Sequence, residues 1–127
     1  MEPLLRMYII DYYECDREFL ADPERLKELV LEAASLMGAT VIDHTFYKFD
    51  GGGVSGTVTI AESHIAIHTW PEYGFAAVSV ESCGNRINPW DSHSLFMERL
   101  KAKRSSEFKV DRGLFDVRPG SLHHKPI

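Results

Sequence analysis

The sequence predicts an α+β fold, a two-layer sandwich in which an antiparallel β-sheet is covered on one face by two helices. Three observations lead there. Short strand-type apolar runs recur along the chain, two segments carry apolar residues at helical spacing, and the elements follow the order strand, helix, strands, helix, strand. With 127 residues, 44% of them apolar and 11% aromatic, a single domain spanning 1–127 can bury a core of its own.

Each element has a local reason. Residues 7–13 are apolar and β-prone, hence a first strand. Asp22-Pro23 opens a helix, with Asp as cap and Pro in the first turn. Leu26, Leu29, Val30, Ala33 and Met37 then share one helical face, and Gly38 is the natural stop. Residues 40–49 read as a strand, Gly51-Gly52-Gly53 as a hairpin turn, and 54–61 as the returning strand. Two more follow at 65–70 and 75–82, joined by Pro71-Glu72-Tyr73-Gly74. Asn88-Pro89 opens a second helix to about Leu100, with Leu95, Phe96 and Leu100 inward. Residues 108–110 form a short last strand, and the tail from Arg112, with His123-His124, is expected to be irregular.

Composition narrows the functional classes. A net charge of −5 gives no footprint for nucleic acid, whose phosphates call for clustered cations. Lys101, Lys103 and Arg104 read as a solvated helix end. No apolar run approaches the ~20 residues that span a bilayer, and Glu2, Pro3 and Arg6 interrupt the start where a secretory leader would be apolar. Cys15 and Cys83 form neither a disulfide framework nor a zinc set, so both thiols are expected free in a reducing cytoplasm.

Alternation assigns side chains to faces. Val54, Val58 and Ile60 share one side of their strand, and Ser55, Thr57 and Thr59 the other. Ile65 and Ile67 oppose His64, Ala66 and His68. Ala76, Val78 and Val80 oppose Phe75, Ala77, Ser79, Glu81 and Cys83. The second face of the sheet thus carries Ser, Thr, His, Glu and Cys, which suits a catalytic or subunit surface. It does not suit a metal: His64 and His68 are four residues apart, about 13 Å along a strand, too far for one ion. The three glycines lack the Lys-Ser/Thr of a phosphate loop.

The segments Gly53-Val54-Ser55-Gly56, Glu62-Ser63-His64-Ile65-Ala66-Ile67-His68-Thr69-Trp70-Pro71-Glu72-Tyr73 and Ser82-Cys83-Gly84 closely resemble the prokaryotic S-adenosylmethionine decarboxylases. These are small pyruvoyl-dependent enzymes of polyamine biosynthesis. Tyr13-Glu14-Cys15-Asp16 and Asn88-Pro89-Trp90 extend the likeness over residues 7–113. The resemblance implies that the chain cuts itself between Glu62 and Ser63, giving fragments 1–62 and 63–127. The Ser63 hydroxyl would attack the Glu62 carbonyl, Ser55 would hydrogen-bond the tetrahedral oxygen, and His68 would take the α-proton of residue 63 as general base. Position 63 would become a pyruvoyl group. The substrate amine would join it as a Schiff base and lose carbon dioxide, and Cys83 would return a proton. Phe49 and Trp70 would offer adenine a flat surface, and Glu72 would accept the ribose hydroxyls. The expected reaction is decarboxylation of S-adenosylmethionine to S-adenosylmethioninamine.

Two departures bear on substrate. Leu5-Arg6-Met7 stands where members usually carry Gly-x-His, and Asp50-Gly51-Gly52-Gly53 stands where a proline usually follows. L-Arginine or L-ornithine stays open, since Asp50 can pair with a guanidinium or an amine. An unprocessed, non-catalytic homologue stays open too. Distance adds a further expectation. If residues 63–68 are extended, Ser63 and His68 lie about 16 Å apart, beyond proton-transfer reach. Either the chain turns sharply at Ser63-His64, or His68 comes from a second copy. A homodimer with shared sites is expected, with Ser63 and Cys83 from one subunit and Ser55, His68, Glu72 and Phe49 from the other.

Overall fold

The computed structural model describes residues 1–118 and 120–123, so His124 of the tail lies outside the described residues. Six strands run in chain order: β1 (Glu2–Tyr13), β2 (Val41–Lys48), β3 (Val54–Ile60), β4 (Ser63–Trp70), β5 (Phe75–Cys83) and β6 (Arg104–Phe115). Three α-helices join them: α1 (Arg17–Leu20), α2 (Pro23–Leu36) and α3 (His93–Arg99). The strands form one sheet of order β2-β3-β4-β5-β1-β6, with every neighbouring pair antiparallel. The α+β architecture is the one the sequence predicts.

The helices form where capping and spacing say. Asp22 accepts the N–H groups of Glu24 and Arg25, Pro23 occupies the first turn, and α2 buries Leu26, Leu29, Val30, Ala33 and Ala34. Gly38 follows at φ +83°, the left-handed conformation that ends a helix. Asn88 accepts the N–H of Trp90, starting a 3₁₀ turn (Pro89–Ser92) that runs into α3, whose Phe96 is buried. Opposite them the sheet presents Ile10, Tyr12, Val58, Ile60, Ile65, Ile67, Val78 and Val80, all buried. Fully burying each such aliphatic side chain contributes about 1.5–3 kcal/mol.

Buried polar groups tie the layers. Thr69 Oγ1 donates to the Leu20 carbonyl at 2.7 Å and accepts the Val54 N–H at 2.9 Å, joining β4 to α1 and β3. Tyr12 meets His93 Nδ1 at 3.0 Å, and His93 Nε2 lies 3.2 Å from Glu107, so β1, α3 and β6 share one polar chain. Burial raises the Tyr12 phenol above its ordinary range, with the Glu107 and Cys15 charges adding to the rise. Phe46 of β2 lies across Gly56 of β3 on the helix side.

Three expectations need correction. The last strand is not a short piece at 108–110; β6 runs the length of β1, and Arg112 to Phe115 belong to it rather than to an irregular tail. It is an exposed edge rich in charge, which hides the apolar alternation, and Gly113 at φ +64° interrupts the strand pattern. The cationic run after α3 is a helix end only at exposed Lys101, while Arg104 already belongs to β6. Leu100 caps the helix, Lys101 turns at φ +54°, and Arg104 opens β6 with its guanidinium 4.2 Å from the Tyr13 ring centroid. The short α1, capped by Asp16, is an element that apolar spacing did not signal.

Candidate active site

Two clusters stand one at each end of β4: Ser55 and His68 of the first lie on the sheet face turned away from the helices, whereas Ser63 of the second shares the alternation of Ile65 and Ile67 and pairs with the buried Ser82. At the first, Ser55 and His68 are direct cross-strand partners, and Ser55 Oγ lies 2.9 Å from His68 Nδ1. The hairpin turn at 50–53 folds beside them, closed by the Phe49 N–H donating to the Gly53 carbonyl at 2.8 Å. A Cβ on Gly53 would meet the Thr69 carbonyl oxygen at 2.7 Å, so glycine lets the turn approach β4. The result is a cavity of about 330 Å³ lined by Phe49, Ser55, His68, Trp70 and Glu72 among others. All three residues expected to bind substrate therefore converge with two of those expected to act in processing. Phe49 and Trp70 are 51% and 42% exposed, so neither is a core aromatic.

The second cluster surrounds the Glu62–Ser63 bond. Ile60 pairs with Ser63, so Ala61 and Glu62 make the turn between β3 and β4. The Glu62 side chain is buried; one oxygen accepts the Thr40 N–H at 3.4 Å and the other lies 3.7 Å from Arg86 Nε. Its carbonyl oxygen accepts the N–H of Cys83 at 3.0 Å. Ser63 pairs across the ladder with Ser82, whose buried hydroxyl has no hydrogen-bond partner. Alternation puts Cys83 on the outer face, opposite Leu5, yet it is 6% exposed, shielded rather than open. Cys83 and Cys15 are both free thiols. Burial pushes the Cys15 thiol up to about 11.

β4 runs unbroken from Ser63 to Trp70, so the chain makes no sharp turn at Ser63-His64. Five residues of extended strand separate Ser63 from His68, about 16 Å. Within one chain the two clusters therefore stand apart. The same straight strand keeps His64 and His68 from sharing an ion. Asp50, the residue that could select a basic amino acid, is exposed at the turn and does not line the cavity wall described above.

Four side chains around Ser63 escaped the sequence reading. His64 Nδ1 lies 3.3 Å from Ser63 Oγ and 3.7 Å from Glu81 Oε2, and Arg112 of β6 pairs with the other Glu81 oxygen. Ser82 is the fourth. Alternation puts His64 and Glu81 on the same face, but only the register of β4 against β5, and of β6 against β1, brings the three charged groups together.

An antiparallel sheet backed by helices, with a Glu-Ser junction at a strand start, puts this chain in the class of small α+β domains. The family model described as S-adenosylmethionine decarboxylase matches residues 6–113. The S-adenosylmethionine decarboxylase proenzyme of Acetivibrio thermocellus is 44% identical over 116 residues, covering 91% of this chain and 94% of the relative. That of Thermotoga maritima is 42% identical over 116 residues, covering 91% and 89%. The crystal structure of the adenosylmethionine decarboxylase from Aquifex aeolicus VF5 superposes with a TM-score of 0.83 at 31% identity, covering 97% of this chain and all of that one. The chain belongs to the S-adenosylmethionine decarboxylase family, a family of enzymes. No described helix is long and apolar enough to cross a membrane.

Proposed function

We propose that this chain is a proenzyme that cuts itself between Glu62 and Ser63 and then, as a homodimer with shared sites, decarboxylates S-adenosylmethionine. The observation that carries the proposal is the pair of half-sites at opposite ends of one unbroken strand. A two-fold axis between facing sheets lays the Ser63 end of one copy against the His68 end of the other, twice, as an isologous interface requires. Ala66, Ala77 and Ser79 between the clusters are small, which lets two such faces approach. Exposed Tyr47, Phe49, Trp70, Phe108 and Val110 on that face supply apolar surface for the contact.

In self-cleavage the Ser63 hydroxyl attacks the Glu62 carbonyl carbon. The C–O bond forms, the C–N bond breaks, and an ester replaces the amide. Two donors face the oxygen that gains charge: the Cys83 N–H already bound to it and Ser55 of the partner. His68 of the partner then takes the α-proton of residue 63, the ester leaves as the carboxylate of fragment 1–62, and the dehydroalanine left at position 63 takes up water and loses ammonia to give the pyruvoyl ketone. The residues around position 63 fit a pyruvoyl group there, since Ser63 is anchored by its ladder pair with Ser82 while its preceding carbonyl is held in place.

That ketone supplies the electron sink that no side chain offers. Cys83, shielded beside it, returns a proton to the α-carbon after carbon dioxide leaves. Phe49 and Trp70 stack on the adenine and Glu72 accepts the ribose hydroxyls, the three meeting in one cavity. The relatives reported above carry the name of the adenosylmethionine enzyme, and Asp50 stands off the cavity; both favour S-adenosylmethionine over arginine or ornithine.

The test has two parts. A denaturing gel and mass spectrum of the purified chain are expected to give fragments 1–62 and 63–127, the second with a blocked pyruvoyl end; an intact, active chain would refute the proposal. Co-expressing Ser63→Ala with His68→Ala is expected to restore part of the carbon dioxide release from S-adenosylmethionine. No rescue would exclude shared sites, and turnover of arginine alone would reverse the substrate.

A further inference from the structure

We propose that His64 is the base that frees the Ser63 hydroxyl for attack during self-cleavage, with Glu81 stabilising the charge His64 acquires. The inference rests on the self-cleavage reading above and adds a catalytic residue to it. Two protons must move in that reaction. The α-proton of residue 63 goes to His68 of the partner, but the hydroxyl proton must leave first, and within the cleaving chain His68 stands five strand residues away. His64 is already in place: its Nδ1 lies 3.3 Å from Ser63 Oγ, hydrogen-bonding range for a proton transfer that tightens at the transition state.

The surroundings suit an imidazole that takes on charge in passing. With its own hydrogen on Nε2, His64 turns the Nδ1 lone pair toward Ser63 Oγ. As Oγ bonds to the Glu62 carbonyl carbon, its proton moves to Nδ1. The resulting imidazolium has Glu81 Oε2 at 3.7 Å, and the Glu81 side chain is only 12% exposed, so water screens the attraction weakly. Arg112 Nη1 holds the other Glu81 oxygen and fixes the direction of the carboxylate. When the C–N bond breaks, the proton on Nδ1 passes to the released amine of residue 63. The amide becomes an ester with no net proton taken up, and His64 returns to neutral. The Cys83 N–H, 3.0 Å from the carbonyl oxygen on the opposite side of the reaction, holds the developing anion. Base, charge-stabilising carboxylate and one of the oxyanion donors thus come from the cleaving chain itself.

Gel time courses on freshly translated full-length chain separate this role from a structural one. His64→Ala is expected to slow fragment formation by about 100-fold, the lower range for loss of a general base, and added imidazole to restore part of the rate. Hydroxylamine, which cleaves esters, is expected to leave uncut His64→Ala intact, because the chain stops before the ester. It is expected to split His68→Ala, which stops after it. Glu81→Gln, which keeps the shape of the cluster, is expected to slow cleavage about tenfold, and covers the case in which His64→Ala fails to fold. Cleavage of both His64→Ala and Glu81→Gln at the native rate, or hydroxylamine splitting of His64→Ala, would overturn the inference while leaving self-cleavage intact. A native chain that never forms fragments would overturn both.

Discussion

The carbonyl oxygen of Glu62 accepts the backbone N–H of Cys83 at 3.0 Å, so the bond expected to break is polarised by the main chain of the residue expected to act later. The two roles at position 83 belong to different atoms. Cys83→Ala keeps the N–H and removes the thiol. We expect it to form fragments within about tenfold of the native rate, since the oxyanion donor survives. Decarboxylation should fall at least about 100-fold, the scale of a lost proton donor. Mass spectrometry of the fragments and carbon dioxide release read the two effects separately.

Gly56 lies under the Phe46 ring. A Cβ there would come within 2.0 Å of Phe46 Cε2. Gly56→Ala is expected to destabilise the fold by about 1–3 kcal/mol through overpacking. The double variant with Phe46→Ala should recover part of that loss, because the two sites share one contact. Urea unfolding of the single and double variants measures it.

Thr69→Val keeps the shape of the side chain and removes its hydroxyl. The Val54 N–H and the Leu20 carbonyl then lose a buried partner, at about 1–3 kcal/mol for each group left unpaired. Thr69 sits between His68 and Trp70 on β4, and Val54 precedes Ser55 on β3. Fragment formation should therefore slow along with the loss in melting temperature.

Cys15 sets a sign for alkaline pH. Its ordinary value is 9.0, and burial pushes the thiol up to about 11 in the fold. The folded state disfavours the thiolate, so the stability linked to this group is fully present below pH 9.0 and is lost as pH rises through about 11. Cys15→Ala is expected to flatten the fall in melting temperature across that window, with little change at pH 7.

Sequence carried the architecture where local signals were strong. The Asp22-Pro23 and Asn88-Pro89 helix starts, the glycine hairpin and the alternating strands around Ile65 and Val78 all appear where their chemistry puts them. β6 was legible only in part because an exposed edge strand needs no apolar face, and its charged residues are consistent with loop and strand alike. The site divides along the same line. Ser55, Ser63, His68, Glu72 and Cys83 sit in contiguous motifs, and the resemblance marked them. The Arg112–Glu81–His64 arrangement joins three strands, and no reading of one segment contains the cross-strand register that assembles it. Distance reasoning on β4 did reach beyond local pattern: an extended conformation over residues 63–68 by itself sets Ser63 and His68 about 16 Å apart.

The strand order has a consequence for what a matured molecule can do. A break after Glu62 would assign β1, β2 and β3 to one polypeptide and β4, β5 and β6 to the other, with β1 hydrogen-bonded between β5 and β6. The two pieces would be interleaved, and neither could depart without stripping ladders from both edges of β1. The nicked subunit should therefore melt as a single unit, yet once melted it would have to reassemble from separate chains. Its renaturation would depend on concentration, whereas the uncut precursor's subunit fold would not, so each molecule would hold its one-chain route to the fold only until it matures.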